Sequence, residues 1–107
     1  MKIYISGPME GVENYQEIFK RAADKLLGMG YSVVNPAALQ SAMCGDGFSR
    51  KDFLRIDLDL LEECDAILLL DGWEESKGCN REYGYALGCG KVCLIGSHCL
   101  DSGKLVI

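Results

Sequence analysis

Asp65-Ala66-Ile67-Leu68-Leu69-Leu70 is an unbroken apolar run after its first residue. It is far too short to cross a bilayer, and its length suits a single strand. A strand that is apolar at successive positions has both faces covered, as in a parallel sheet with helices on either side. Upstream, Arg50 to Cys64 repeats apolar residues at helical spacing, with Phe53, Leu54, Leu58 and Leu61 on one stripe. Downstream, Asp71-Gly72-Trp73-Glu74-Glu75 is a polar loop. Ser76 then caps a third helix that ends near Gly88 to Gly90, and Lys91 to Ile95 forms another strand.

The N-terminal half repeats the alternation. Lys2 to Ser6 is a strand, and Gly7-Pro8-Met9-Glu10-Gly11 is a loop. Asn14 and Glu17 have the spacing of a capping pair. Tyr15, Ile18, Phe19, Ala22, Leu26 and Met29 recur on one helical face, closed by Gly28 and Gly30. Tyr31 to Asn35 is the second strand, stopped by Pro36; Ala37 to Ser49 reads as a loop or a short broken helix, and Lys104 to Ile107 as a candidate fifth strand. The order predicts one α/β domain over residues 1–107, a three-layer sandwich with a parallel sheet of four or five strands, wound as in flavodoxin. In such sheets a ligand sits beyond the carboxyl ends of the strands. That end receives Ser6 to Gly11, Asn35-Pro36, Asp71 to Ser76 and Gly96 to Cys99.

Composition narrows the partners. The chain has 107 residues, 49% hydrophobic and 25% charged, with a net charge of −5. It shows no basic cluster, which argues against a nucleic-acid polymer as partner. No apolar run is long enough for a membrane, and the N-terminus enters strand-like sequence directly, so a cytoplasmic location is expected. Six cysteines (Cys44, Cys64, Cys79, Cys89, Cys93, Cys99) include no Cys-x-x-Cys pair, and His98 is the single histidine. The cysteines are read as small core residues rather than a disulfide framework or zinc site. No metal or cofactor is expected.

Two carboxylates interrupt otherwise apolar stripes. Glu82 shares a stripe with Cys79, Tyr83, Ala86 and Leu87; Asp57 shares one with Phe53, Leu54, Leu58 and Leu61. Burying a carboxylate costs several kcal/mol unless something compensates it. Such exceptions to patterning mark candidate sites. The alternatives are ordinary: Glu82 turned to solvent or paired with Arg81 or Lys77, and Asp57 paired with Arg50 or Lys51 or lying at the stripe's edge. Glu82 opens its helix's second turn near the ligand end; Asp57 lies mid-helix.

Taken together, Tyr4-Ile5-Ser6-Gly7-Pro8, Asp57 ahead of Asp65-Ala66-Ile67, Ser76-Lys77-Gly78, Glu82-Tyr83-Gly84-Tyr85-Ala86-Leu87 and Gly90-Lys91 resemble the nucleoside 2-deoxyribosyltransferase superfamily. That superfamily includes 2'-deoxynucleoside 5'-phosphate N-hydrolases. The resemblance covers nearly the whole chain. It implies that Glu82 is a nucleophile attacking the anomeric carbon, that Asp57 contacts sugar or base and helps place the nucleophile, and that Tyr4 hydrogen-bonds Glu82. It also implies a homo-oligomer and a small nucleoside or nucleotide substrate. Candidate substrate contacts are Ser6, Gly7, Pro8, Met9, Asp71, Gly72, Trp73, Ser76 and Gly78.

The chain departs from the family pattern in two places. Ser76 stands where the transferases carry an acid and the phosphohydrolases a phosphate-binding serine. Glu10 replaces a basic residue of the phosphohydrolases, for which Arg50, Arg55 or Arg81 would have to substitute. Taken alone, Ser76 is first a helix cap, Gly7-Pro8 a strand-ending turn, Asp71-Gly72 a turn, and Asp65 a partner at a strand entrance. Trp73 suits either base stacking or a subunit interface. The expected function is cleavage or transfer of an N-glycosidic bond; the alternative is a nucleotide-binding module without catalysis.

Overall fold

The computed structural model describes residues 1–96. The expected fifth strand at Lys104 to Ile107, together with His98 and Cys99, lies outside the described residues. Four strands, β1 (Lys2–Ser6), β2 (Ser32–Val34), β3 (Ala66–Leu69) and β4 (Val92–Ile95), form one parallel sheet in the order β2-β1-β3-β4. Tyr4 lies beside Val34 on one side and Ile67 on the other, and Leu68 lies beside Leu94. Four helices connect the strands: α1 (Tyr15–Gly28), α2 (Pro36–Ala42), α3 (Arg50–Glu62) and α4 (Lys77–Gly88). The chain leaves β1 to one side for β2, then crosses to β3 on the other. Between the ends of β1 and β3 lies the switch point at which flavodoxin-like sheets place a ligand.

Strand alternation sorts the core into two layers. Ile3 and Ile5 face α1, where Phe19, Ala22, Ala23 and Leu26 cover them. Tyr4 faces the opposite layer with Ile67, Leu69, Leu61, Cys64 and Ala86, built on α3 and α4. All four β3 residues are fully buried, as the apolar run requires. Asp65 pairs at the strand entrance, its carboxylate accepting from Lys2 N at 2.8 Å.

Several local expectations need correction. Asn14 precedes α1 but its backbone (φ −105°, ψ 29°) is not the extended cap conformation, and its side chain makes no cap bond. Glu17 is held instead by Arg21 at 2.9 Å, so the expected capping pair does not form. Pro36 stops β2 and also opens α2, because proline's fixed φ and missing N–H suit the first turn of a helix. Asn35 caps that helix by accepting from Ala37 N at 3.1 Å and Ala38 N at 3.4 Å. The loop expected at Asp71 to Glu75 contains a single 3-10 turn, Trp73–Glu75.

Candidate functional site

Tyr4 and Ser6 are two apart on β1, so both point toward α4. Cys79, Glu82 and Ala86 form the buried stripe of that helix, and the stripe brings Glu82 over the end of β1. Glu82 as a whole is only 8% exposed. The Ser6 hydroxyl donates to one oxygen, Oε1, at 2.7 Å. The Tyr4 hydroxyl donates to the other, Oε2. The solvent-facing alternative for Glu82, and pairing with Arg81 or Lys77, are therefore excluded: the side chain points inward, and hydroxyls rather than cations satisfy it.

This arrangement holds a carboxylate in a dry place without a counter-charge. Burial pushes the Glu82 carboxyl above its ordinary value, while the bonds from Tyr4 and Ser6 pull it back down. Burial, reinforced by the neighbouring Glu82 and Asp57 charges, drives the Tyr4 hydroxyl far above its usual range, so it stays a donor. Asp57 lies on α3 one turn before the buried Leu61 and is half-buried itself. Burial, with a smaller contribution from the Glu82 charge, pushes its carboxyl up to about 7. The two carboxylates sense one another, and neither has a basic partner among the hydrogen-bonded side chains of the described residues. Titratable groups perturbed by burial and by one another in this way are candidates for a functional site.

The other sequence candidates border this centre in different ways. Gly7 is packed tightly; a Cβ there would lie 2.9 Å from Leu70 Cδ1 and 3.1 Å from Phe19 Cζ. Pro8 and Met9 are half-buried in the loop that follows. Asp71 and Gly72 are exposed, and Gly72 takes the left-handed φ of +87° that glycine tolerates. Trp73 is half-buried, its ring centroid 5.0 Å from that of Tyr83. Ser76 caps α4, accepting from Cys79 N at 3.3 Å, and Gly78 is exposed in that helix's first turn. Arg50 reaches the loop after β1 and forms an ion pair with Glu10, rather than pairing with Asp57.

Sequence reasoning missed two residues. Cys79 lies in the core, as its stripe predicts, but its thiol also adjoins Ser6, Ser76 and Glu82; burial pushes it up and the two serines partly offset this. Asn80 carries no periodic signal, yet its amide ties together the 3-10 turn and α4. A depression of about 360 Å³ lined by Gly47, Phe48, Asp52, Arg55, Ile56 and Asp59 includes none of the Glu82 network. Among the described residues no cluster of His, Cys, Asp and Glu is arranged to hold a metal ion, and no helix is long and apolar enough to cross a membrane.

Three solved structures show the same fold. A 2-deoxyribosyltransferase from Bacillus psychrosaccharolyticus is 22% identical with a TM-score of 0.72; the match covers 89% of this chain and 71% of the other. The corresponding enzyme from Leishmania mexicana is 24% identical, TM-score 0.68, with 88% of this chain and 62% of that one covered. A CMP N-glycosidase from Clostridium botulinum is 21% identical, TM-score 0.61, with 89% and 67% covered. The resemblance read from the sequence is thus borne out in the fold. No curated protein matches the sequence. A family model matches residues 1–95, nearly the entire described chain, and the protein belongs to that family, described as a domain of unknown function, DUF4406.

Proposed function

We propose that this protein cleaves or transfers the N-glycosidic bond of a nucleoside or nucleoside 5'-monophosphate, with Glu82 as nucleophile. The observation that carries the reading is the buried Glu82 carboxylate, held on both oxygens by Tyr4 and Ser6 at the switch point of the sheet. The structural neighbours named for glycosyl transfer and cleavage support it.

A carboxylate oxygen attacks the anomeric carbon while the bond from that carbon to the base nitrogen breaks. The electron pair leaves with the base. Asp57, protonated near neutrality, gives the base its proton. The resulting carboxylate then deprotonates a water, which attacks the same carbon and frees Glu82. If an acceptor base takes the water's place, the outcome is transfer. The transition state is cationic at the sugar, so the negative charge of the attacking Glu82 carboxylate also stabilises it electrostatically.

Ser76 at the start of α4, with Lys77 beside it, suits an anionic 5'-phosphate. Arg50, ion-paired with Glu10 at the loop after β1, is the candidate cation for that phosphate and would have to exchange Glu10 for it. The test is chromatographic detection of free base after incubation with deoxynucleosides and their 5'-monophosphates, with and without an acceptor base. Release by the wild type and none by Glu82→Ala is expected. Release that survives in Glu82→Ala, or none from any substrate by folded wild type, would overturn the proposal.

A further inference from the structure

Asn80 sits in the first turn of α4, two residues before Glu82, and does not touch the carboxylate network. Its Nδ2 lies 2.8 Å from Ser76 O, 2.9 Å from Glu74 O and 3.4 Å from Trp73 O. Three carbonyl oxygens around one atom accept only a donor, so the chemistry fixes the orientation of this amide. Two hydrogens serve three acceptors, giving two short bonds and one long shared one. The backbone adds Asn80 N to Ser76 O at 3.0 Å and Ser76 N to Trp73 O at 3.1 Å. The turn is therefore stapled to the helix through both main chain and side chain.

That turn follows the carboxyl end of β3, the end at which sheets of this kind bind ligands, and is taken as one lip of the ligand crevice. It begins at Gly72, so close to the loop after β1 that a Cβ would lie 3.2 Å from Pro8 Cγ. It carries Trp73 against Tyr83 and ends at Ser76. The side chain of Asn80 is exposed, so its bonds compete with water and add little to global stability. What they fix is local geometry. Binding and catalysis are sensitive to misplacements of about 1 Å.

We propose that Asn80 is a positioning residue: it sets the lip Trp73–Ser76 against the Pro8 loop and so governs affinity for a ligand in the crevice. The nucleoside-class identity of that ligand rests on the proposed function; the role in holding the lip does not. Trp73 is the chain's single tryptophan, so its fluorescence reads the lip directly. Asn80→Asp keeps the shape but turns a carboxylate toward three carbonyls; Asn80→Ala removes the donors without that repulsion.

Acrylamide quenching of Trp73 is expected to increase in both variants, more for Asp than for Ala, with the melting temperature nearly unchanged. Affinity for 2'-deoxynucleoside 5'-monophosphates should fall roughly tenfold in Asn80→Asp, with KM raised and kcat within about threefold of wild type. Unchanged quenching in both variants, or greater quenching with unchanged affinity, would overturn the proposal. If wild type binds no nucleoside or nucleotide, the functional reading fails, and the quenching comparison alone decides whether Asn80 holds the lip.

Discussion

Burial pushes the Glu82 carboxyl up, and the Tyr4 and Ser6 hydroxyls pull it back by donating to its two oxygens. Asp57 has no such donors, and burial takes it to about 7. The proposed reaction needs Glu82 ionised and Asp57 protonated. The pH profile of kcat/KM should therefore be bell-shaped, falling in acid as Glu82 gains a proton and in base as Asp57 loses one near pH 7. Tyr4→Phe removes a donor that favours the ionised Glu82, so the acid limb should move up by about one pH unit. An acid limb that stays in place would contradict this role for Tyr4. Stability should follow the opposite logic. Asp57 is raised in the folded protein, so its contribution is intact below the unfolded value and is lost as pH rises through about 7. Asp57→Asn should therefore melt higher than wild type above pH 7, by on the order of 1–2 kcal/mol after allowance for solvent screening, with the advantage shrinking toward pH 4. Thermal melts across that range check it; an advantage that grows in acid would contradict the assignment. The helical stripe made Glu82 visible in the sequence, and the resemblance supplied Tyr4 as its partner. The Ser6 bond was not foreseen, because alternation places Ser6 on the α4 face without indicating that the helix's carboxylate arrives opposite it.

Elements are built from short-range signals that the sequence carries unevenly. The all-apolar β3 run and the α1 stripe were plain, and both elements lie where expected. Caps were harder to read. Asn14 and Glu17 have the spacing of a capping pair but lack its backbone geometry. Ser49 and Asp52 form a reciprocal box at the start of α3, with Ser49 N donating to Asp52 Oδ2 at 2.8 Å and Asp52 N to Ser49 Oγ at 3.2 Å. Spacing alone does not choose between them, because the choice depends on where the preceding loop lets the backbone turn. Gly7 marks where β1 meets its loop, and there the constraint is tertiary. A methyl group would press on Leu70 and Phe19, both in the packed layer beneath α1. Gly7→Ala should cost about 1–3 kcal/mol by overpacking, lowering the melting temperature by several degrees. An unchanged melt would show that Leu70 and Phe19 yield freely.

At the scale of the whole molecule, the strand order puts the ends of β1 and β3 side by side, and the Glu82 site lies there. The α3 helix presents a second large-scale feature. Only Leu61 is fully buried, while Phe53, Leu54, Ile56, Leu58 and Leu60 remain half-exposed. Phe48, 42% exposed, packs its ring against Phe53. The family resemblance implies a homo-oligomer, and we propose that a second copy of the chain covers this face. Sedimentation velocity should then show a species larger than one chain, converted to monomer by Ile56→Glu; a monomer at every concentration would rule the assembly out. The proposed reaction passes through a glycosylated Glu82. Its most direct test is intact-mass and peptide mass spectrometry of protein quenched during reaction with a 2'-deoxynucleoside 5'-monophosphate. A mass increase of one deoxyribosyl phosphate unit is expected, located on the peptide containing Glu82 and absent from Glu82→Gln. Base release without that adduct, continuing undiminished in Glu82→Gln, would contradict it.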